Sequence, residues 1–395
     1  MRTPHWALVS LLMGCDGGSE PEPDLIACNG TQCFSIEDFG DNMAAGLDGN
    51  VVGWSYVIYY NGQAEKWGEG GEWRTQNDPP QLNANIYDPF NMGSIGKSIT
   101  AMGAVVALQQ TSDGVDENIV DWLPARWSVG SGVDQITFRD LMTHESGFRT
   151  DGCTDSELQS VIAGGISNSD YGQGSYLNAN FCLMRVLIPQ IIGTAPASGD
   201  ATETAEAYVD WIQQSVFTPA GLSQIDPYAS DIPPLYYTFP EPGYNGINTA
   251  TWFPTFAGAS ELELVGAGNW NPSPLDLAKL MWVFDHTEDI MSATLRNEIK
   301  NGELGMYAES VTGGTAYNHN GGLNFATSPY TETRMAGLRA VYYILPNDVV
   351  AVLTYNSVDY PSKMTDFPNT ILTTAYEASW VTDSSEESVW SEIGF

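Results

Sequence analysis

Clusters of β-branched and aromatic residues predict β-strands near both ends of the chain. One cluster fills residues 51–60 and is followed by Asn61-Gly62, a strong hairpin signal, so a return strand is expected over 63–68. Two more clusters, at 336–344 and 349–355, predict a second pair of strands. The sheet is therefore expected to draw strands from both ends of the sequence.

Between these strands, apolar residues recur at spacings of three and four, as expected for helices. The pattern predicts helices over 94–110, 204–216 and 274–286, and a closing helix over 368–380. Residues 226–268 show no clear period and are rich in Pro, Gly and aromatic residues, which predicts a long loop. Such a loop either covers the core or forms a lid over a binding cleft, and the sequence leaves both open.

These elements predict an α+β fold in which an antiparallel sheet from both chain termini is flanked by helices. A mostly helical domain is inserted in the middle. We expect one enzyme-sized unit over 37–390, with a sheet lobe at about 37–110 and 300–390 and a helical lobe at about 111–299. The 395 residues are 43% hydrophobic, enough to build a large core.

The N-terminus has the pattern of an export signal. Arg2 precedes an apolar run over 6–13, which is shorter than the ~20 residues that span a bilayer. The run ends in a segment that resembles the lipobox of bacterial lipoproteins, so 1–15 is predicted to be a signal peptide and Cys15 the lipidated residue. Residues 16–36 are predicted to be a flexible tether. Plain secretion and a different start site are the alternatives. The expected location is the cell envelope.

Four cysteines follow Cys15: Cys28, Cys33, Cys153 and Cys182. An even number in an exported chain allows two disulfides, and three pairings are possible. Pairing each cysteine with its nearest neighbour in sequence is the simplest. The chain has only four histidines and none lies near a cysteine, so no metal site is expected and no cofactor is implied.

The charge balance narrows the set of partners. With 14 Lys and Arg against 49 Asp and Glu, the formal net charge is -35. Such a chain repels nucleic acid and anionic membranes, so we expect no nucleic acid partner and membrane contact only through a lipid anchor. The acidic surface either serves solubility or attracts a cationic substrate.

Ser94 and Lys97 are the first candidate catalytic pair. Ser94 lies where a helix is predicted to begin, and Lys97 follows one turn later on the same face. A serine hydroxyl needs a base to become a good nucleophile, and a lysine acts as that base only when it is kept neutral. The alternative role for Ser94 is a helix N-cap.

Two later segments carry further polar groups. Tyr176 and Asn178 follow a Gly-rich loop, where a phenol and an amide two residues apart can project into one cleft. His319, Gly321 and Gly322 precede the C-terminal strands, and glycines there allow close approach of a substrate to the backbone. Taken singly, each segment also fits an ordinary polar turn.

In this order, Ser-x-x-Lys, Tyr-x-Asn and His-x-Gly resemble the serine β-lactamase and penicillin-binding-protein superfamily. The likeness is to its class C β-lactamase-like branch, which includes esterases and D-aminopeptidase-like peptidases. Stretches at 136–147, 176–181, 216–222 and 266–278 also resemble segments of that branch. Together they extend over about 40–380.

The resemblance implies a role for each matched residue. Ser94 would form an acyl-enzyme, and Lys97 and Tyr176 would share the acid and base work, in an order left open. Asn178 would hold the lysine or a substrate amide. The backbone N–H groups of Ser94 and Gly322 would form an oxyanion hole.

The remaining positions of the resemblance concern binding and structure. His319 and Gly321 would contribute to substrate binding, whereas His144 in the Thr-His-x-Ser-Gly segment is expected to be structural.

The third motif departs from the pattern of β-lactamases and transpeptidases, which carry Lys-Thr-Gly there. In this chain the motif is His319-Asn320-Gly321, which lacks the lysine that supports binding of a substrate carboxylate. This favours an exported hydrolase of a small ester, amide or peptide. A D-alanyl-D-alanine carboxypeptidase or D-aminopeptidase, a β-lactamase, and a catalytically silent protein that binds cell-wall fragments are the alternatives. The oligomeric state is not predicted.

Overall fold

The computed structural model describes residues 25–29, 32–111, 113–228, 232–239, 261–325, 336–358 and 368–382. The predicted signal peptide, Cys15 and the end of the predicted domain beyond 382 lie outside these ranges. So do residues 240–260, which hold most of the segment for which a lid was considered. None of the described helices is long and apolar enough to cross a membrane.

The β-strands form one large antiparallel sheet and one small sheet. In chain order the strands are β1 (Leu25–Asn29), β2 (Gln32–Ser35), β3 (Gly53–Tyr60), β4 (Gln63–Arg74), β5 (Leu82–Asn83), β6 (Tyr237–Thr238), β7 (Tyr307–Val311), β8 (Gly314–Phe325), β9 (Ala336–Ile344), β10 (Val350–Tyr355), β11 (Ser357–Val358) and β12 (Trp380–Thr382). Across the large sheet the order is β7, β8, β9, β10, β3, β4, β5, with each neighbour antiparallel. The short β6 and β11 pair with each other in parallel, and β6 also pairs with the start of β9.

The helices supply the remaining layers. They are α1 (Ile36–Leu47), α2 (Gly96–Thr111), α3 (Phe138–Met142), α4 (Asp155–Gly164), α5 (Asn178–Ile191), α6 (Ala201–Ile212), α7 (Glu261–Leu264), α8 (Pro274–His286), α9 (Ala293–Asn301) and α10 (Pro368–Ala378). Helices α1 and α10 pack on one another and cover one face of the sheet, while α8 packs on the other face. The α+β fold predicted from the sequence, with a sheet drawn from both chain ends and helices inserted between, is confirmed.

The central strand β3 shows why the sheet lies between two layers. Val57 and Tyr59 belong to the core under the helical lobe, whereas Tyr56 and Ile58 belong to the core under α1 and α10. Successive side chains of a strand point to opposite faces, so a run that is apolar at every position is buried on both sides.

The predicted element boundaries match the structure closely where local signals are strong. Asn61 and Gly62 both have positive φ angles, as the two-residue hairpin turn requires. Ser273 and Asp276 form a capping box before α8, which occupies the predicted 274–286. The predicted closing helix instead ends at Ala378, because the chain turns there to form β12.

The structure differs from the predicted tether at residues 25–29 and 32–36. These residues form β1, β2 and the first residue of α1, and β2 pairs with β12 from the other end of the chain. Phe34 is fully buried against the rings of Tyr376 and Trp380. The polar composition of 16–24 does not extend to this apolar stretch, and the long-range pairing that orders it is not visible in the local sequence.

Both disulfides join the nearest cysteines in sequence. Cys28 is bonded to Cys33 in the small sheet, and Cys153 is bonded to Cys182. The second bond ties the loop before α4 to helix α5.

Candidate active site

Ser94 and Lys97 lie next to each other at the start of α2. Ser94 lies in a 3-10 turn, Gly93–Ile95, and is partly exposed, whereas Lys97 is fully buried in the first turn of the helix. Lys97 Nζ is 3.1 Å from Ser94 Oγ. The serine hydroxyl and the lysine amine are therefore within hydrogen-bond distance, as nucleophile and base must be.

Lys97 is held by groups that come from distant parts of the chain. Its Nζ donates to Asn178 Oδ1 at 2.9 Å and to the Ala267 carbonyl oxygen at 2.9 Å. Burial lowers the pKa of Lys97 to about 7, and the charge of Asp151 partly opposes this shift. A large share of the amine is therefore neutral at neutral pH and able to accept a proton.

Asp151 is the member of the site that sequence reasoning missed. Its carboxylate accepts hydrogen bonds from Asn178 Nδ2 at 3.2 Å and from the Ala179 backbone N–H at 2.8 Å. Because the amide nitrogen of Asn178 faces this carboxylate, its oxygen faces Lys97. The sequence indicated this position only indirectly. Asp151 lies two residues before Cys153, and the disulfide from Cys153 to Cys182 brings that segment to α5, the helix that carries Asn178.

Tyr176 lies above Lys97, where the loop enters α5. Its hydroxyl hydrogen-bonds to Ser94, and its ring centroid is 4.8 Å from Lys97 Nζ. The residue is 49% exposed, yet burial of its hydroxyl end raises the pKa of the phenol above its usual range. The phenol is therefore protonated at neutral pH and available as a proton donor.

His144 supports Tyr176 rather than contacting the serine. The two ring centroids are 4.3 Å apart, and His144 Nδ1 accepts from the Leu177 backbone N–H at 3.3 Å. Burial, with a smaller contribution from Lys97, lowers the pKa of His144 to about 3. The imidazole is therefore neutral and fixes the turn that carries Tyr176.

Strand β8 brings two glycines to the serine turn. A Cβ on Gly321 would lie 1.9 Å from the Met92 carbonyl oxygen, and a Cβ on Gly93 would lie 3.0 Å from the Gly322 backbone nitrogen. Only residues without a side chain allow the strand and the turn to pack this closely. Gly322 and Ser94 line the same cleft, whereas Gly321 serves the contact with the turn.

His319, for which the sequence predicts a role in substrate binding, is buried on β8 beside the serine cleft. It is 2% exposed on β8, and its Nδ1 lies 2.6 Å from the Asn320 carbonyl oxygen. Burial, with a smaller contribution from Lys97, lowers the pKa of His319 to about 3, so the ring is neutral. His319 lines a neighbouring cavity instead of the serine cleft. It lies three residues before Gly322 on β8, and residues an odd number apart on a strand point to opposite faces.

The cleft in front of Ser94 has a volume of about 310 Å³. Its wall combines Tyr176, Asn178 and Gly322 with polar and apolar side chains from other segments, namely Asn91, Leu264, Asn269, Leu323 and Asn324. Among the described residues, no charged side chain lines it. The described ranges also hold no group of three His, Cys, Asp or Glu side chains suited to a metal ion. The arrangement brings together a serine hydroxyl, a buried amine with a lowered pKa, a protonated phenol and an amide that accepts from the amine.

Comparisons with known proteins identify the family and the fold of this chain. The model of the Beta-lactamase family matches residues 39–374. No curated relative was found. Several crystal structures share the fold. A D-amino acid amidase from Ochrobactrum anthropi SV3 has 18% identity and a TM-score of 0.63, with 87% of this chain and 97% of that chain covered.

Two further structures show the same overall fold. FmtA from Staphylococcus aureus has 17% identity and a TM-score of 0.61, with 87% of each chain covered. A class C beta lactamase from Rhodobacter sphaeroides has 15% identity and a TM-score of 0.61, with 86% of this chain and 99% of that chain covered.

Proposed function

Because the chain belongs to the Beta-lactamase family, we propose that it is an exported serine hydrolase that cleaves an ester or amide bond through an acyl-enzyme on Ser94. The contact that carries this proposal is the 3.1 Å distance between Ser94 Oγ and the buried Lys97 Nζ. A lysine with a pKa of about 7 is a suitable base near neutral pH. The family to which the chain belongs consists of serine hydrolases that act through an acyl-enzyme.

In the proposed first half-reaction, neutral Lys97 takes the proton of Ser94 as Oγ bonds to the substrate carbonyl carbon. The carbonyl oxygen becomes an oxyanion, which the backbone N–H groups of Ser94 and Gly322 stabilise. Loss of one such donor typically costs ~10²–10³ in rate. The tetrahedral adduct then collapses, and the bond to the leaving group breaks as that group receives a proton.

We assign the donation of that proton to Tyr176. Its raised pKa keeps the phenol protonated, and its hydroxyl bonds to Ser94 beside the point where the leaving atom departs. Protonated Lys97 then restores the proton to Tyr176. In the second half-reaction water takes the place of the leaving group, the same residues act in reverse, and the acid product is released.

The charges around the cleft favour esters and amides without a carboxylate near the scissile bond over β-lactams. A β-lactam antibiotic and a D-alanyl-D-alanine peptide both carry a carboxylate near the scissile bond. Here the third motif supplies the neutral His319 in place of a lysine, and the described residues add no charge to the cleft. Peptide-like amides with D-residues are the second candidate, supported by the fold shared with a D-amino acid amidase.

A silent binding protein is the least supported alternative, because the nucleophile and base are already within hydrogen-bond distance. Export is proposed from the lipobox-like segment that ends at Cys15. Two disulfides in the described residues are consistent with an oxidising compartment.

The test is intact-mass spectrometry after incubation with a fluorophosphonate, using protein whose first residue follows Cys15. We expect a single adduct on the wild type and none on the Ser94→Ala variant. Nitrophenyl acetate and a chromogenic cephalosporin then separate esterase from β-lactamase activity. No adduct on either protein, together with no turnover, would replace the hydrolase proposal by the binding-protein alternative.

A further inference from the structure

A second cavity of about 390 Å³ lies beside the serine cleft. Two residues of its wall, His144 and Tyr307, also belong to the surroundings of Tyr176. Tyr176 is the residue to which we assign protonation of the leaving group. The part of the substrate that departs from Ser94 therefore begins next to this cavity.

Two buried imidazoles of the wall each keep one nitrogen for a ligand. His144 is 8% exposed and accepts a backbone N–H at Nδ1, so its proton is on Nε2. His319 is 2% exposed and has Nδ1 against a carbonyl oxygen, so its Nε2 is an acceptor. Within the described part of the chain, neither Nε2 makes a hydrogen bond. His319 Nε2 therefore presents a neutral acceptor, with its partial negative charge, to the cavity.

The charged side chains of the wall have an excess of negative charge. Glu145 and Glu303 line the cavity together with Arg139. The arginine is already engaged, because its guanidinium bonds to Asp116 and reaches Glu298. Its charge is therefore neutralised locally, and the carboxylates of the two glutamates set the sign of the potential.

Tyr307 adds an aromatic face to the same wall. Its ring centroid lies 5.3 Å from that of His319, and the residue is partly exposed. Carboxylates, a neutral acceptor and an aromatic face together form a suitable surface for an ammonium group. An anion would meet two carboxylates and no unpaired cation among the described lining residues.

We propose that this cavity binds a cationic group carried by the leaving part of the substrate. The preferred substrates are then esters or amides whose released alcohol, thiol or amine bears an ammonium a few bonds from the scissile atom. This inference rests on the proposed function, because it assigns the leaving-group side of the Ser94 reaction. It also gives the opposite charge preference to the one that a lysine at the third motif would produce.

Three acetyl thioesters test the charge preference with one acyl group and one thiol readout. The probes are acetylthiocholine, its neutral isostere 3,3-dimethylbutyl thioacetate, and the anionic S-acetyl 3-mercaptopropanesulfonate. A partly exposed ion pair is worth up to ~1 kcal/mol, so kcat/KM for the cation should exceed that for the isostere by roughly fivefold. The anion should be slower still, and the differences should shrink in high salt.

Variants locate the effect in this cavity. Glu303→Gln and Glu145→Gln should each lower the ratio of cationic to neutral kcat/KM, and the double variant should bring it close to one. Glu206→Gln is the matched control, because Glu206 is an exposed glutamate on α6 that does not line the cavity. It should leave the ratio as in the wild type.

The outcomes separate this inference from the proposed function. Equal kcat/KM for all three thioesters, or a cation preference that survives the double variant, overturns the inference while the hydrolase proposal stands. If the thioesters are not cleaved but Ser94 reacts with a fluorophosphonate, protection of Ser94 by choline and not by 3,3-dimethylbutanol supports the inference, and equal effects overturn it. Absence of both turnover and adduct removes the proposed function itself.

Discussion

Asp151→Asn is the substitution that tests the electrostatics of the site most directly. Asp151 does not contact the serine, but its carboxylate holds the amide of Asn178 so that the amide oxygen faces Lys97. The substitution removes a negative charge that raises the pKa of Lys97. An asparagine has one acceptor oxygen in place of two, so either Asn178 Nδ2 or the Ala179 N–H loses its acceptor.

The size of the effect follows from the distances. Asp151 Oδ2 is 3.2 Å from Asn178 Nδ2, and Asn178 Oδ1 is 2.9 Å from Lys97 Nζ. This chain of contacts separates the two charges by roughly 7 Å, where the Coulomb energy at an effective dielectric constant of 20 is about 2 kcal/mol. Since Asp151 is exposed, solvent screening reduces this to ~1 kcal/mol, or a little under one pKa unit.

The sign of the pH effect follows from the role of Lys97 as base. Below its pKa the lysine is protonated and cannot accept the serine proton, so the rate falls towards acid pH. The wild type should lose activity as the pH falls through about 7. In Asp151→Asn the pKa is lower, so this loss should move to lower pH by about one unit.

The assay is the rate of Ser94 labelling by a fluorophosphonate between about pH 5 and about pH 9, because labelling reports activation of the serine and its fluoride leaving group departs without protonation. Asp210→Asn, an exposed carboxylate on α6, is the control for the change in net charge and should leave the profile unchanged. An acid limb in Asp151→Asn that stays in place or moves to higher pH would refute the reasoning.

Three further changes have defined outcomes. Tyr176→Phe should slow turnover of alkyl esters by ~10²–10⁴ but that of nitrophenyl esters less, because nitrophenolate leaves without a proton; near-normal rates with alkyl esters would return the acid role to Lys97. Lys97→Met should abolish labelling yet raise Tm. Burial of the lysine lowers its pKa from 10.5 to about 7, which costs the wild type about 4 kcal/mol of folding stability at pH 7. Methionine removes this cost, although the loss of the lysine's hydrogen bonds offsets part of the gain in stability. The stability gained by Lys97→Met should grow as the pH falls from 10.5 to 7, because in that range the lysine of the unfolded wild type becomes protonated. An unchanged or lower Tm of Lys97→Met at pH 7 would contradict this prediction. The double substitution Cys153→Ala and Cys182→Ala removes a disulfide that closes a loop of 29 residues, and it should lower the free energy of unfolding by about 3.5 kcal/mol. An unchanged midpoint of denaturant unfolding would contradict this value.

Local signals in the sequence were sufficient for the main elements of the fold. The dipeptide Asn61-Gly62 specified the hairpin of β3 and β4, and apolar spacing over 274–286 predicted α8, whose start Ser273 and Asp276 cap in the structure. Each of these signals acts within a few residues, so it is visible without the tertiary structure. The order of the Ser-x-x-Lys and Tyr-x-Asn motifs also placed the chain in its family, which the family model confirms.

Residues that act across long sequence separations could not be placed in this way. Asp151 orients Asn178 through a contact that exists only after the disulfide-linked loop has packed on α5. His319 was expected to contribute to substrate binding, but which cavity it lines depends on the direction of its side chain on β8. Strand β2 pairs with β12 at the other end of the chain, and β1 in turn pairs with β2.

The sequence by itself determined the elements, their order and the residue types of the catalytic motifs, because these depend on neighbours along the chain. The tertiary structure decided the charge states of Lys97, His144 and His319. Each pKa is set mainly by the loss of water around the group, and that loss is the sum of contacts from segments far apart in sequence.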